Sequence, residues 1–357
     1  VFFMNKFILV GGGTGGHCIP MLAVYQKFME LNINCQIITD KRGSFFFKEI
    51  QQNDITIIKT PTKMISKLEQ LINFPIIFLQ TVLLMMNTKS VHIIGFGGYM
   101  TLPVLLGAKF TNKKISIHEA NAIMGKANRV LSNYASNIFI TFNKTKMINE
   151  RFNSKVHTIG LPLRDTFKEI VVDDEKEFII TIIGGSQGSS SLSHKVSEGI
   201  IKFSKKINSK VKVYHQCRPE DVDTITNKYL NNHIECEIRN YFFDMPKKIF
   251  ESNIIISRSG SSTINEIIYT NKPSILIPFP FAVDNHQFHN ANFLKQNSCA
   301  EIIKDSDLTA DLILHGLLGF YNNPDKVDMI KNKLKGLTHK NTSERMLNYI
   351  QDSNVTQ

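Results

Sequence analysis

The chain has few cysteines, and nothing in their spacing indicates that they act together. Five occur in 357 residues, an odd number without any C-x-x-C pair. This pattern gives no sign of a disulfide framework and is typical of proteins in a reducing cytoplasm.

The chain also lacks a basic run with interleaved aromatic residues, the pattern that predicts a nucleic-acid groove. Its net charge is nevertheless +11 at pH 7, with a pI near 9.3. An excess of positive charge favours an anionic partner. With nucleic acid disfavoured, a membrane surface and a phosphorylated substrate are the partners that remain.

A hydrophobic run long enough to span a membrane is missing too. Residues 71–86 are apolar enough to raise the question, but they include Asn73, Pro75 and Gln80. The segment is also shorter than the ~20 residues that a spanning helix needs. Two alternatives remain open, a buried helix and an interfacial helix that lies on a membrane surface.

The patterns that are present predict two α/β domains. The length of 357 residues and the hydrophobic content of 42% favour two domains over one. Continuous apolar strands that alternate with helical patterns predict parallel, doubly wound sheets. The predicted strands are residues 7–10, 35–39, 55–58, 91–94, 114–117 and 137–140 in the first half, and 178–183, 212–214, 234–238, 254–257 and 274–277 in the second. We expect domains at 1–160 and 161–337, and a C-terminal helix within 338–357 that packs back on the first domain.

A glycine-rich loop follows the first strand of each predicted domain. The first is Gly11-Gly12-Gly13-Thr14-Gly15-Gly16-His17, and the second is residues 184–189. Such a loop before a helix points backbone N–H groups at one spot, which suits a phosphate. Gly11-x-Gly13-x-x-Gly16 also matches a dinucleotide fingerprint, with Asp40 as its acidic residue. Alternatively, the glycines only allow a tight turn.

Another phosphate cradle is predicted at residues 257–266, between a strand and a helix. Its hydroxyl and backbone N–H groups would bind the phosphate, and Arg258 would supply the counter-charge. Glu266 would accept hydrogen bonds from two ribose hydroxyls. The alternative is structural, because Thr263-x-x-Glu266 is also a helix capping box.

A proline-bounded loop at residues 278–287 ends in polar side chains that suit hydrogen bonds to a sugar or a phosphate. Asp284, His286 and His289 fall short of the ligand count that a metal needs. A metal site is therefore the less favoured interpretation of this loop.

His17 ends the first glycine loop, where its side chain would point toward a bound ligand. A lone histidine is usually structural, yet a neutral imidazole is also the standard general base near pH 7. The pairs Asp221/Asp223 and Asp305/Asp307 open helical stretches, and we interpret them as helix caps.

Taken together, these stretches resemble the MurG family over nearly the whole chain. Any one matching string is weak evidence for the family, but seven strings in the same order are specific to it. The strings are Gly12-Gly13-Thr14-Gly15-Gly16-His17, Gly97-Gly98-Tyr99, His118-Glu119 with Asn121, Pro162-x-Arg164, Gly184-Gly185-Ser186-Gln187-Gly188, Arg258-Ser259-Gly260 through Glu266, and Asp284-x-His286-Gln287 with Asn290-Ala291.

The resemblance implies a GT-B fold, in which two Rossmann-like domains face a deep cleft. The family transfers N-acetylglucosamine from UDP-N-acetylglucosamine to the 4-hydroxyl of undecaprenyl-pyrophosphoryl-N-acetylmuramyl-pentapeptide, with inversion. It implies an acceptor on the first domain, the UDP-sugar on the second, no required metal, and a peripheral position at the cytoplasmic face of the plasma membrane.

The same resemblance implies the roles of individual residues. The donor would be bound by Arg164, Gly185, Ser186, Gln187, Phe242, Arg258, Ser262, Thr263, Glu266, His286 and Gln287. The acceptor would be bound by Thr14, Gly15, Gly16, Tyr99 and Asn121, with His17 as the base. Leu161 replaces a usual Asn and Ala120 a usual Gln, from which we expect altered hydrogen bonding rather than lost activity.

An enzyme with a polyprenyl acceptor must also meet a membrane. Residues 71–86 would supply the apolar contact through Ile76, Ile77 and Phe78, with Lys63 and Lys67 nearby for anionic lipid. Three other functions stay open: an NAD-type oxidoreductase, a non-catalytic peripheral membrane protein, and a related glycolipid-forming glycosyltransferase. Only the acceptor distinguishes the last of these from the MurG reaction.

Overall fold

The chain is divided into two compact units. A computed structural model describes residues 6–58, 67–86, 88, 91–164, 177–184 and 190–355. Unit 1 comprises Val1–Asp165 with His339–Gln357, and unit 2 comprises Thr166–Thr338. The divisions fall at 165/166 and 338/339, whereas the sequence placed them at 160/161 and 337/338.

Unit 1 is built on a parallel sheet in the order β3-β2-β1-β4-β5-β6-β7. The strands are β1 (Lys6–Val10), β2 (Cys35–Asp40), β3 (Ile55–Ile58), β4 (Val91–Gly95), β5 (Lys114–Glu119), β6 (Asn137–Ile140) and β7 (Val156–Thr158). Alternate residues of β1 enter two separate cores, Phe7 and Leu9 on one face and Ile8 and Val10 on the other. The apolar runs of the sequence therefore reflect burial on both faces of the sheet.

Helices cover both faces of this sheet. Helix α1 (Gly15–Glu30) packs on the Phe7 and Leu9 face. The opposite face is covered by α2 (Lys67–Met86), α3 (Thr101–Phe110) and α4 (Lys126–Leu131).

Helix α2 turns one apolar face inward and leaves another exposed. Ile77 is fully buried in the core, so its assignment as a membrane-contacting residue is wrong. Phe78 is half-buried against the ring of Phe110, at 5.8 Å between centroids. Ile76 is exposed as predicted. Five further apolar side chains of α2 are exposed as well, namely Ile72, Leu79, Leu83, Leu84 and Met86.

Unit 2 repeats the architecture with a parallel sheet in the order β10-β9-β8-β11-β12-β13. Its strands are β8 (Glu177–Ile183), β9 (Lys210–Gln216), β10 (Glu235–Arg239), β11 (Ile254–Ser257), β12 (Ser274–Leu276) and β13 (Ala300–Ile302). Its helices are α5 (Ser190–Ser204), α6 (Val222–Leu230), α7 (Met245–Glu251), α8 (Ser261–Thr270), α9 (His286–Gln296), α10 (Ala310–Tyr321) and α11 (Pro324–Leu337).

The predicted strands are confirmed, with ends that differ by at most two residues, while β7 and β13 were not predicted. Both missed strands are three residues long and only half-buried. Neither one therefore forms a continuous apolar run. Among the described helices, none combines the length and the apolar character needed to cross a bilayer.

The last helix of the chain, α12 (Thr342–Val355), belongs to unit 1. Its Met346, Leu347 and Ile350 are buried beside Phe7 and Leu9. The start of α12 is fixed by two hydrogen bonds to the end of β7 and the residue after it, from Arg345 Nη2 to the Thr158 carbonyl at 3.0 Å and from Thr342 Oγ1 to the Ile159 carbonyl at 3.1 Å. The helix therefore completes one of the two cores of unit 1.

Candidate active site

The first glycine loop is held in place by Asp40, at the end of β2. One carboxylate oxygen of Asp40 accepts hydrogen bonds from the N–H of Gly13 at 3.0 Å and of Gly43 at 2.7 Å. The side chain is almost fully buried, and its other oxygen lies 3.7 Å from Arg42 Nη2. The acid that a dinucleotide site needs for its ribose is therefore bonded to the protein itself, which argues against the oxidoreductase alternative.

His17 lies in the first turn of α1 and is oriented by a backbone carbonyl. Its Nδ1 is 3.0 Å from the carbonyl oxygen of Phe96. Because a carbonyl only accepts hydrogen bonds, Nδ1 carries the proton, and in the neutral imidazole the lone pair lies on Nε2. This is the tautomer that a general base acting through Nε2 needs.

The loop after β4 approaches the first glycine loop closely. Gly97 has φ +99°, and a Cβ atom there would lie 2.8 Å from Nδ1 of His17. Gly98 has φ +90°, and a Cβ atom there would lie 2.7 Å from the carbonyl oxygen of Gly12. Only glycine fits both the conformation and the space. The structure thus brings the glycine loop, His17 and the half-buried Tyr99 together.

Glu119 organises the loop that follows β5. Its carboxylate accepts from the backbone N–H of Asn121 at 3.0 Å, the Asn121 side-chain amide at 3.2 Å, the N–H of Gly125 at 2.9 Å and the Asn128 amide at 2.8 Å. Asn121 is therefore held rigidly at the carboxyl end of a strand next to β4. In the sequence, Glu119 is marked only as part of a matching string, and this role was not predicted.

The neighbouring histidine is unsuited to act as a base. Burial lowers the pKa of His118 to about 4, against a smaller opposing contribution from its hydrogen bond to the Gly160 carbonyl. His118 is thus neutral at pH 7 and structural. Ala120 and Leu161, the two departures from the family pattern, are both buried.

On unit 2, the N-terminus of α8 combines open space with unsatisfied polar groups. The helix begins at Ser261 and has no side-chain cap, and a Cβ atom at Gly260 would meet nothing within 4 Å. The hydroxyl of Ser262 is buried without a hydrogen-bond partner among the described residues. Glu266 lies four residues further on and so shares a helix face with Ser262. The uncapped helix N-terminus and the Ser262 hydroxyl are suited to an anion, and the Glu266 carboxylate is suited to hydroxyl donors.

The capping-box interpretation of Thr263 and Glu266 is wrong. The position that precedes α8 is Gly260, so Thr263 already lies inside the helix. Helix α8 starts earlier than the capping box requires, because the backbone turns directly after β11 at Gly260.

Arg258 is not an isolated cation beside this helix. It is 6% exposed, and its Nη1 lies 2.6 Å from Asp305 Oδ1. The same nitrogen donates to the carbonyls of Ile277 at 3.1 Å and Pro278 at 3.3 Å. Whether the guanidinium also meets a phosphate stays a prediction, but its charge is already paired.

The two acidic pairs lie at helix starts as predicted, Asp221 and Asp223 at the N-cap and in the first turn of α6 and Asp305 and Asp307 in a short 3-10 helix, but no side-chain cap hydrogen bond forms at Asp221. Asp305 forms an ion pair with Arg258, and Asp221 accepts a hydrogen bond from the Ser190 hydroxyl at 2.9 Å rather than one from the backbone of α6. Both partners are distant in the sequence, which is why local patterns could not reveal them.

The loop after β12 presents His286 and Gln287 at the start of α9. His286 Nδ1 donates to the Val283 carbonyl at 2.8 Å, so the lone pair of the neutral ring lies on Nε2. Gln287 accepts from the N–H of Ser259 at 3.2 Å and of Phe279 at 3.0 Å through its amide oxygen. Among the described residues, no cluster of three or more His, Cys, Asp or Glu could hold a metal.

The remaining predicted donor residues lie outside the segments that contain α8 and α9 or outside the described part of the chain. Phe242 is buried beside Ile179 and Tyr214, after β10. Arg164 belongs to unit 1, and its Nε atom is buried without a hydrogen-bond partner among the described residues. Gly185, Ser186 and Gln187 lie outside the described residues.

Comparisons with known proteins identify the family of the chain. Residues 7–140 match the glycosyltransferase family 28 N-terminal domain, and residues 179–346 match the C-terminal domain of that family. A protein of Zymomonas mobilis is 33% identical over 84% of this chain and 80% of its own length. A protein of Rickettsia bellii is 31% identical over 93% of this chain and 95% of its own length. Both are named UDP-N-acetylglucosamine--N-acetylmuramyl-(pentapeptide) pyrophosphoryl-undecaprenol N-acetylglucosamine transferase.

Solved structures share the fold. MurG of Acinetobacter baumannii superposes with a TM-score of 0.76 at 23% identity, over 98% of this chain and all of that one. A UDP-GlcNAc 2-epimerase of Neisseria meningitidis superposes with a TM-score of 0.69 at 13% identity, over 97% of this chain and all of that one. These likenesses confirm the predicted GT-B fold class and carry no activity by themselves. The family-28 domains and the relatives above 30% identity together show that the chain is a glycosyltransferase and belongs to the MurG family.

Proposed function

We propose that this glycosyltransferase moves N-acetylglucosamine from UDP-N-acetylglucosamine to the 4-hydroxyl of undecaprenyl-pyrophosphoryl-N-acetylmuramyl-pentapeptide, with inversion at the anomeric carbon. One observation carries the proposal. Relatives above 30% identity match over most of their length and share one enzyme name, which states this donor and this acceptor.

The donor would bind to unit 2. The first N–H groups of α8 carry the partial positive charge of a helix N-terminus, and the Ser262 hydroxyl and Thr263 lie in the same turn. Glu266 would accept hydrogen bonds from the ribose hydroxyls, and the backbone near Phe242 would contact uracil. Nε2 of His286 would accept a hydrogen bond from the sugar, and the amide nitrogen of Gln287 would donate one.

Negative charge develops on the diphosphate as its bond to the anomeric carbon breaks. The helix N-terminus, Arg164 and the loop Gly185-Ser186-Gln187 would stabilise that charge without a required metal, as the family resemblance implies.

The acceptor would bind to unit 1. Thr14, Gly15 and Gly16 would face its diphosphate, and Tyr99 and Asn121 its muramyl sugar. His17 would take the proton of the attacking hydroxyl on Nε2, while its Nδ1–H stays bonded to Phe96.

The proposal is tested by supplying labelled UDP-N-acetylglucosamine with either a lipid-linked muramyl-pentapeptide analogue or diacylglycerol. We expect the label only in the muramyl lipid. Label in diacylglycerol would favour the glycolipid-forming alternative, and donor binding without transfer to either lipid would contradict the proposal.

We further propose that unit 1 docks on the cytoplasmic face of the plasma membrane through α2. The supporting observation is the exposed apolar face of Ile72, Ile76, Leu79 and Leu83, which are 57%, 46%, 59% and 66% exposed. Anionic lipid is the expected surface because the chain carries a net charge of +11. Lys63 and the side chain of Lys67, which the sequence suggested as a basic rim, lie outside the described part of the chain.

A further inference from the structure

One arginine of unit 2 contacts the segments that follow three neighbouring strands, through two hydrogen bonds and one ion pair. Arg258 follows β11, the carbonyls of Ile277 and Pro278 follow β12, and Asp305 lies just beyond β13. A guanidinium buried to this extent is costly unless its charge and its N–H donors are satisfied. The two carbonyls accept the hydrogen bonds of Nη1, and the Asp305 carboxylate supplies the opposite charge at 2.6 Å from that nitrogen.

The same region is cross-linked a second time by Gln287. Its amide oxygen accepts from Ser259 and Phe279, and its backbone oxygen accepts from the Ser259 hydroxyl at 2.8 Å. Asn290 lies three residues after Gln287 on the same face of α9, and its side-chain amide donates to the Ser259 carbonyl at 3.1 Å. Residues 278–287 are therefore attached at both ends to the segment 258–259 that leads into α8.

The loop between these attachments is under backbone strain. Asp284 and Asn285 both have left-handed conformations, with φ of 50° and 53°. Such conformations persist only where surrounding contacts fix them. Beside these two residues, the Asn285 N–H donates to the Ala282 carbonyl at 2.8 Å and His286 Nδ1 to the Val283 carbonyl at 2.8 Å, while the bonds from Arg258 and Gln287 hold the ends of the loop.

We propose that Arg258 and Asp305 act as positioning residues for the donor sugar. Their ion pair fixes residues 278–287 against the N-terminus of α8, so that His286 and Gln287 are presented at a set distance from the bound diphosphate. The inference rests on the proposed function, because the sugar concerned is the N-acetylglucosamine of the donor. It assigns Asp305 a role and gives Arg258 one different from that of a phosphate ligand.

The affinities for UDP and for UDP-N-acetylglucosamine should respond differently to loss of the ion pair, since only the second ligand carries the sugar. We expect Asp305→Asn and Arg258→Gln to keep the affinity for UDP within about twofold of the wild-type value. The affinity for UDP-N-acetylglucosamine should fall by about tenfold, which is the effect of one or two lost hydrogen bonds. The double variant should lose no more than either single one, because both remove the same ion pair. Asp305→Glu, which keeps the charge, should recover part of the affinity, and Asp307→Asn, an exposed carboxylate in the same turn, should change nothing.

Amide hydrogen exchange without any ligand supplies the second measurement. Residues 278–287 should exchange faster in Asp305→Asn than in wild type and in Asp307→Asn. This arm needs no substrate, so it decides the positioning claim even where transfer is absent and the proposed function fails. If Arg258→Gln lost equal affinity for UDP and for UDP-N-acetylglucosamine, Arg258 would be a phosphate ligand and the proposal would be overturned. Unchanged amide exchange of residues 278–287 would overturn it as well.

Discussion

At the residue scale, His17 depends on a glycine in another loop. The imidazole is oriented by the Phe96 carbonyl, and the backbone of Gly97 lies against Nδ1 with no room for a side chain. A base must sit within hydrogen-bond distance of the hydroxyl that it deprotonates. The small size of Gly97 is therefore part of the geometry that His17 needs.

Replacing His17 by Ala tests its proposed role as the base. We expect kcat to fall by about 10² to 10⁴ fold, the usual contribution of a general base, with UDP-N-acetylglucosamine affinity unchanged. Steady-state kinetics beside donor titration would measure both. His315→Ala, at an exposed position of α10, is the control. Near wild-type turnover in His17→Ala would remove His17 from the mechanism.

Gly97→Ala tests the packing argument. The new methyl group would meet the His17 ring in a backbone conformation with φ +99°, and we expect a loss of about 1–3 kcal/mol in the free energy of unfolding together with reduced turnover. Gly336→Ala in α11, where a Cβ atom meets nothing within 4 Å, should instead stabilise by up to about 1 kcal/mol. Urea unfolding of both variants would compare them. Equal stabilities would show that the loop adapts and that Gly97 is not required.

At the element scale, α2 shows why sequence alone assigned the wrong side chain to the membrane. Residues 71–86 are apolar on nearly every side, so a period of 3.6 residues does not reveal which face turns inward. The structure settles it through packing: Ile77, Thr81 and Met85, spaced four residues apart, are buried. Strands such as β8 were predictable because both of their faces are buried and their runs are continuous.

The two faces of α2 predict different outcomes when they are changed. Replacing Ile72, Leu79 and Leu83 together by Ser should abolish most binding to anionic vesicles with little change in Tm, because these side chains are exposed. Ile77→Ala should cost about 2–5 kcal/mol of stability, since it opens a cavity in the core, and leave vesicle binding unchanged in the folded protein. Vesicle sedimentation and thermal unfolding measure the two effects. Unaltered sedimentation of the triple Ser variant would rule out this docking face.

The site was predictable in part, and the limit is one of distance along the chain. His17, Ser262 and His286 each follow a strand within a local motif, so a pattern can mark them. The bonds from Asp40 to Gly13 and from Arg258 to Asp305 join residues 27 and 47 positions apart (40 − 13 and 305 − 258). No local pattern contains such pairings, because they depend on which strands become neighbours in the sheet.

At the scale of the whole molecule, both units carry buried neutral histidines. Burial lowers the pKa of His92 and His215 to about 3 and that of His118 to about 4, from ordinary values of 6.5. Below pH 6.5 the unfolded chain therefore binds protons that the folded chain does not. Stability is fully present above that pH and is lost as the pH falls toward 4.

We expect each such histidine to account for about 2 kcal/mol of the stability lost between pH 7 and pH 5. His92→Gln, which cannot be protonated in this range, should show a correspondingly smaller loss than wild type. Urea unfolding of both proteins at the two pH values gives the difference, in which the carboxylates common to both cancel. Parallel pH dependences would mean that His92 is protonated in the folded protein.

The placement of α12 affects the order in which the protein can fold during synthesis. Unit 2 is one continuous segment, Thr166–Thr338, whereas unit 1 needs Met346, Leu347 and Ile350 for one of its cores. A ribosome therefore releases all of unit 2 before it releases the helix that closes unit 1. The half made first is the half completed last, and until then the core around Phe7 and Leu9 is covered by α1 but not by α12, which leaves apolar surface of the nascent chain open to misassembly.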